Sequence, residues 1–187
     1  MAFNKDKLNF DKQKQQLFRY WGKNNIITSD TVLKAFLAVP RELFVNPSYR
    51  DQSYADHPLP IYCEQTISQP TTVMLMLQLL KLMPGHRVLE IGTGSGYNAA
   101  LLAELTDEVV TVERHMQLVQ FAQDNLKQAG YEGVIVLKGD GKKGCAAQAP
   151  YDRIMVTAAS QKVPQQLIDQ LSIGGLLVAP IGATYRC

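Results

Sequence analysis

The chain predicts an α/β fold: a doubly wound, mostly parallel sheet with helices on both faces (Rossmann-like), preceded by an N-terminal helical segment. Three observations carry that prediction. From Arg87 onward, five short β-rich runs (RVLEIG, EVVTVE, GVIVLKG, YDRIMVT and GLLVAPIG) are separated by helical runs. Strands that alternate with helices imply βαβ crossovers and a buried parallel sheet. The first of these runs feeds a glycine-rich turn, Gly92-Thr93-Gly94-Ser95-Gly96, which opens directly into a helical pattern. Ahead of Arg87 the apolar residues fall at helical spacing instead.

Taken along the chain, Phe10, Gln13, Leu17, Phe18 and Trp21 lie near helical spacing, with Gly22 as a stop signal. TSDTVLKAFLAV then opens with good N-cap residues and sets Val32, Leu33, Phe36 and Leu37 on one face. Pro40 ends that pattern. The polar, proline-punctuated stretch from Asn46 to Pro60 predicts an ordered loop anchored by Tyr49, Tyr54 and Leu59. VMLMLQLLKLM reads as a helix with Pro70 in its first turn and Ser68 or Thr71 as its cap. Its Met74 and Met76 are expected to pack in the core or the cleft wall. Between the strands, YNAALLAEL, HMQLVQFAQDNLKQAG and VPQQLIDQL read as helices, with His115 as a solvent-facing residue at a helix start, while DGKKGCAAQA is too short to assign. The chain is expected to form a single domain over 1–187. Residues 1–82 would supply helices and a substrate loop, and 83–187 a cofactor-binding α/β core.

At 187 residues, 46% hydrophobic and 19% charged, the composition is that of a globular protein with a sizeable core. A net charge of +2 does not argue for nucleic acid, and the lysines of NKDKLNFDKQKQQ are interspersed with Asp and Gln as on a solvated helix face. No apolar run approaches a membrane span. Cys63, Cys145 and Cys187 are far apart, and His57, His86 and His115 form no ligand pattern with them. These counts predict a reducing, cytoplasmic setting and no metal site.

Parallel sheets of this kind bind ligands beyond the C-terminal ends of their strands, where the unusual residues of this chain cluster. The glycine spacing is G-x-G-x-G and departs from the G-x-x-G ending of a dinucleotide fingerprint, which disfavours an NAD-dependent dehydrogenase. Glu90, two residues before the first glycine, suits a ligand carrying an ammonium or sulfonium group. Glu113 ends the next strand, where a carboxylate can accept from two ribose hydroxyls. Asp140 and Gly141 follow the third strand, placed for an adenine amine. A ribose, an adenine and a cationic methionyl tail without phosphate describe S-adenosyl-L-methionine.

The segments EIGTGSGYNAALLAEL, VERH, GDG, APYDRIMVTAA and VPQQLIDQLSIGGLLVAPIG resemble class I methyltransferases. With AVPRELFV, DHPLPI and QTISQP added, the chain is similar to the protein-L-isoaspartate O-methyltransferase family from about Val32 to Gly182. The resemblance implies methylation of the α-carboxylate of L-isoaspartyl residues in damaged proteins and peptides, with S-adenosyl-L-homocysteine as by-product. It also implies roles by position. Glu90, Gly92, Thr93, Gly94, Gly96, Glu113, Asp140 and Gly141 would hold the cofactor. Ser68 would be catalytic, and Thr66, Ile67, Pro70, Thr157, Ala158 and Ala159 would border the substrate.

Two features depart from the family pattern. Members read roughly PIGxGQTIS, whereas Tyr62 and Glu64 stand at the glycine positions here. Weaker binding of isoaspartyl peptides is expected from that change. Members also continue with further strands beyond PIGATYRC, so the fifth strand is expected to present a bare edge, a pairing liability. Two alternatives stay open at this point: a methyltransferase of the same fold acting on another carboxylate or small molecule, and a catalytically weak cofactor-binding module.

Overall fold

Three helices form the N-terminal half: α1 (Ala2–Lys23), α2 (Asp30–Ala38) and α3 (Pro70–Leu80). The computed structural model describes residues 2–158 and 162–182, with side chains from residue 9 onward. Ser29 caps α2 by accepting from the Val32 amide. The far end of α2 is closed by α1, whose Lys14 Nζ donates to the carbonyls of Leu37 and Val39 at 3.0 and 3.2 Å. Those are carbonyls of the kind a helix end leaves without intrahelical partners. Trp21 is fully buried, meets Phe36 edge-on with ring centroids 4.6 Å apart, and donates its indole N–H to Thr71 Oγ1 at 2.7 Å.

The expected cap of α3 is corrected. Pro70 fills the first helical position as predicted, but Gln69 holds the N-cap place without a side-chain bond. Capping comes instead from Asp56, whose carboxylate accepts from the Thr71 amide at 2.9 Å and the Thr71 hydroxyl at 2.7 Å. Thr71 lies inside the first turn, so its hydroxyl turns outward to Asp56 and Trp21, and a carboxylate there also complements the helix dipole.

The loop between α2 and α3 is ordered by two 3₁₀ turns, Arg41–Leu43 and Pro47–Gln52. Tyr54 and Leu59 are buried anchors, as expected. The loop ends in a hairpin with no sequence forecast, β1 (Leu59–Pro60) paired antiparallel with β2 (Thr66–Ile67). Strands of two residues leave no periodicity to read.

The main sheet contains β3 (Arg87–Ile91), β4 (Glu108–Glu113), β5 (Ile135–Lys138), β6 (Tyr151–Val156) and β7 (Leu171–Val178) in the order β5-β4-β3-β6-β7. All neighbours are parallel. Alternation along each strand divides the core by face. Val88, Val109 and Met155 pack with residues from α1 to α3, α4 (Tyr97–Ala103) and α5 (Met116–Ala129). Leu89, Ile91, Val110, Val112, Ile154 and Val156 pack on the opposite face with Leu167 of α6 (Gln165–Ile168). DGKKGCAAQA supplies two short 3₁₀ turns to that second face. VPQQLIDQL forms only one helical turn, because Pro164 precedes it and β7 begins at Leu171.

The fifth strand therefore starts four residues earlier than GLLVAPIG suggests. Its register breaks between the pairs Tyr151–Leu171 and Arg153–Leu176, and Gly174, at φ +80°, takes up the irregularity. β7 ends the strand order, with Ile173 fully exposed. No helix among the described residues is long and apolar enough to cross a membrane. The chain winds from β3 to β4 and β5 on one side, then crosses to β6 on the other. The crevice above β3, between β4 and β6, is the topological switch point.

Candidate active site

The turn after β3 holds Gly92, Gly94 and Gly96 at φ +97°, +56° and +89°. Such backbone is open to glycine and strained for other residues. The three differ in what surrounds them. A Cβ on Gly92 would stand 2.6 Å from Thr157 Oγ1, and one on Gly96 3.2 Å from Leu126 Cγ. Gly94 meets only Ile61 Cδ1 at 3.6 Å and is the glycine of this turn that opens toward space. Neighbours clamp the turn from three sides. The Gly92 amide donates to Val112 O at 2.9 Å, Thr157 Oγ1 lies 2.7 Å from Gly92 O, and Asn125 Nδ2 donates to Ser95 O at 3.0 Å.

Two carboxylates flank the turn in different surroundings. Glu113, at the end of β4, accepts from the amides of Gly94, Arg114 and His115 at 3.1, 2.8 and 3.0 Å. A carboxylate accepts about four hydrogen bonds, so one place is left for a ligand. Glu90 lies fully buried on β3. Its Oε2 accepts from the Thr111 hydroxyl at 2.7 Å, and Thr111 in turn accepts from Thr93, 2.7 Å away. Its Oε1 has no partner among the described residues. Burial pushes the Glu90 carboxyl up to about 8, against the opposing pull of Thr111 and Asn98. A buried acid with one orphaned oxygen fits a cationic ligand group, which would favour the ionised form.

The hairpin brings Gln65, Thr66, Ile67 and Ser68 to face this turn. At its tip the Gln65 amide donates to Tyr62 O at 3.2 Å, and Cys63 and Glu64 take φ +56° and +55°. Positive φ at both central residues is the signature of a type I′ turn. Glu64 thus keeps the left-handed backbone that a glycine would adopt without strain. Tyr62 packs edge-on against Phe121 of α5, centroids 4.9 Å apart, and Cys63 Sγ reaches Gln117 Oε1 at 3.5 Å. Behind the strip, the fully buried Arg41 donates from Nη2 to Ser68 O at 2.8 Å and from Nε to Ser53 O at 2.6 Å.

One cavity lies between strip and turn. Of the expected residues, Thr66, Ile67, Ser68, Gly92, Thr93, Gly94, Glu113, Thr157 and Ala158 line it. Glu90 sits beneath the turn, Gly96 packs on α5, and Pro70 is buried in α3, all outside the lining. Asp140 is exposed and caps the next 3₁₀ turn through the Lys142 amide. Gly141 is required by packing, since its Cβ would stand 2.5 Å from Ile91 Cγ2. Ala159 lies outside the described residues. Sequence reasoning missed Gln65, Ser95, Tyr97 and Asn98 in the lining, and Arg41 behind it. The first four adjoin residues already chosen, so extending each motif by two residues finds them. Arg41 carries no such signal.

Comparison with known proteins relates the chain to a known family. The family model described as protein-L-isoaspartate(D-aspartate) O-methyltransferase matches residues 12–186. A protein-L-isoaspartate O-methyltransferase of Staphylothermus marinus is 49% identical over 185 residues, covering 94% of this chain and 82% of its own. One from Thermococcus sibiricus is 48% identical over 178 residues, covering 90% and 80% respectively. Among solved structures, a protein-L-isoaspartate O-methyltransferase superposes with a TM-score of 0.81 at 37% identity; the match spans 90% of this chain and 55% of that one. A putative Plasmodium falciparum member in complex with S-adenosyl-L-homocysteine gives 0.79 at 28% identity, over 91% of this chain and 84% of its own. The chain belongs to the protein-L-isoaspartate(D-aspartate) O-methyltransferase family.

Proposed function

We propose that the chain repairs aged proteins by transferring a methyl group from S-adenosyl-L-methionine to the α-carboxylate of L-isoaspartyl residues, and that the cavity between strip and glycine turn is where it does so. The observation that carries this reading is the meeting of Gln65–Ser68 with Gly92–Gly94 across one cavity. The residues present fit the cofactor: an open Gly94 for close approach, a free acceptor place on Glu113, and the orphaned oxygen of Glu90 for positive charge. When bound, S-adenosyl-L-methionine supplies a methyl group activated by its sulfonium.

The protein's own part is positioning. An isoaspartyl carboxylate, with a pKa near ~4, is ionised at neutral pH and needs no general base. Ser68 then orients the carboxylate through a neutral hydroxyl, while Thr66, Ile67, Thr157 and Ala158 wall the cavity and exclude water. The adjoining peptide nitrogen then attacks the ester carbonyl and methanol leaves, which a carboxylate could not match, so the peptide closes to succinimide; addition of water to that ring returns part of it as aspartate. On the same reading Asp140 and Gly141 meet the adenine, and Pro70 flanks the substrate side. On this reading residues 1–82 supply the substrate half and 83–187 the cofactor half of one domain. The partners are isoaspartyl proteins and peptides of the cytoplasm, and neither nucleic acid nor membrane takes part.

The test is methyl transfer to an isoaspartyl peptide beside its normal aspartyl twin. Methylation confined to the isoaspartyl form supports the reading; equal labelling or none overturns it. Within that assay, Ser68→Ala is expected to lower kcat by roughly ten- to a thousand-fold, as loss of one positioned hydrogen-bond donor does elsewhere. Affinity for S-adenosyl-L-homocysteine should be unchanged by isothermal titration.

A further inference from the structure

Arg41 is, among the described residues, the fully buried cation that touches the strip, and its environment is unusual. Two of its donors are used, by the carbonyls of Ser53 and Ser68. Its guanidinium carbon lies 4.7 Å from the centre of the Tyr97 ring. The Tyr97 hydroxyl is close enough to interact with the guanidinium, yet neither that hydroxyl nor Arg41 Nη1 completes a hydrogen bond among the described residues. No carboxylate stands within ion-pair distance of it there, and Asp56 is the carboxylate whose charge it feels. Glu42, next in sequence, is taken up by the Tyr54 hydroxyl, which also accepts from the Arg41 amide.

Guanidinium stays charged in proteins. Burying a cation costs several kcal/mol unless an anion and full hydrogen bonding offset it. A tether between two carbonyls does not require a charge, and among the described residues no carboxylate touches this one, Asp56 acting on it only from beyond ion-pair distance. Both residues it leans on, Ser68 and Tyr97, line the cavity. The anion missing from this balance is the one the proposed reaction brings in.

We infer that Arg41 is a positioning residue for the acceptor carboxylate: it fixes Ser68 through its carbonyl and sets, from behind the Ser68–Tyr97 wall, the positive field in which an anionic acceptor settles. The inference rests on the reading of the cavity as the isoaspartyl site. It separates charge from shape. Arg41→Lys keeps the charge, and Arg41→Gln removes it while keeping a shorter polar side chain that can still donate.

The experiment compares an isoaspartyl peptide with its α-carboxamide twin as competing ligand, in wild type and both variants. Field strength through a protein wall predicts a ten- to hundred-fold rise in KM for the isoaspartyl peptide in Arg41→Gln, about that order from the Coulomb estimate. Its kcat should fall less, with unchanged affinity for S-adenosyl-L-homocysteine. The preference for carboxylate over carboxamide should collapse in Arg41→Gln and survive in Arg41→Lys. A merely structural Arg41 would give the opposite: kcat, KM and cofactor affinity worsening together in both variants, with the preference intact. If Arg41→Gln does not fold, the wild type itself decides, labelled with ¹⁵N-arginine. The Arg41 side-chain resonance, assigned as the one lost in Arg41→Lys, should shift with the isoaspartyl peptide and stay in place with the carboxamide; an equal response to both overturns the inference. No methylation of the isoaspartyl peptide by wild type overturns the functional reading first, and the role of Arg41 with it.

Discussion

The glycine turn and the facing strip form two walls of one cavity, but different forces hold them. The turn at 92–96 is fixed mainly by what lies beside it in the sheet, Val112 from β4, Thr157 after β6 and Glu113 at the tip of β4, with Asn125 of α5 adding a bond to Ser95 O. The strip at 65–68 is fixed by side chains from distant segments. Arg41 holds its end, Phe121 and Gln117 hold its tip, and Asp56 with Trp21 holds the helix that follows. A wall built on strand ends inherits its rigidity from the sheet. A wall built on a two-residue-strand hairpin depends on a few individual contacts, and each is a place where substrate behaviour can be altered without disturbing the fold.

Breaking the turn should have the largest effect. Gly92→Ala places a Cβ 2.6 Å from Thr157 Oγ1 at a φ of +97°. The combined strain and overlap are expected to cost about 2–4 kcal/mol in denaturant unfolding. Titration should show loss of S-adenosyl-L-homocysteine binding. Retained affinity would show that the turn is softer than its clamps imply.

Glu90 gives a pH test of the same wall. Its folded-state value, raised by burial to about 8, lies above its ordinary 4.5. The native state therefore holds a proton that the unfolded chain releases. That contribution to stability is fully present below the ordinary value and is lost as pH rises through about 8. Between those limits the wild type should lose on the order of a few kcal/mol relative to Glu90→Gln. Thermal melts of both proteins across that window measure it, and parallel curves would contradict the burial.

The hairpin contacts should give smaller, more selective effects. Tyr62→Ala removes the edge-on contact with Phe121, worth roughly 0.5–1.5 kcal/mol beyond burial. It is expected to raise KM for an isoaspartyl peptide several-fold with little change in global stability. Smallest of all, Glu64→Gly relieves a left-handed residue at φ +55° and should stabilise by about 1 kcal/mol. It should also lower KM, because it removes a negative charge at the approach of an anionic acceptor. The structure thus divides the expectation attached to the two missing glycines: relief belongs to position 64, whereas Tyr62 is a working contact. A double variant that improves on Glu64→Gly alone would reverse that division.

The cofactor wall was largely legible in the sequence because it is local. Strand, glycine turn and helix are consecutive, and Glu113 is the charged residue that closes the buried run of β4. The corrections arose where packing chose among equivalent local options. Thr71 was placed as a cap by its residue type, but Asp56 supplied the carboxylate and drew the hydroxyl outward. Gly141 shows a packing requirement that its motif does not reveal, since a Cβ there would meet Ile91 Cγ2 at 2.5 Å. VPQQLIDQL has helical spacing, yet β7 captured its C-terminal end at Leu171.

By itself, the sequence determined the parallel sheet, the glycine turn and the identity of the strip, since periodicity, backbone permissiveness and consecutive motifs are encoded over short stretches. Only the tertiary structure decided how the strip is held. The contacts that do it join residues 27 and 54 positions apart, Arg41 to Ser68 and Cys63 to Gln117. A residue's type limits the partners it can accept, but only the folded chain, by burying Arg41 against the carbonyls of Ser53 and Ser68 and the Tyr97 ring, selects which of them it meets.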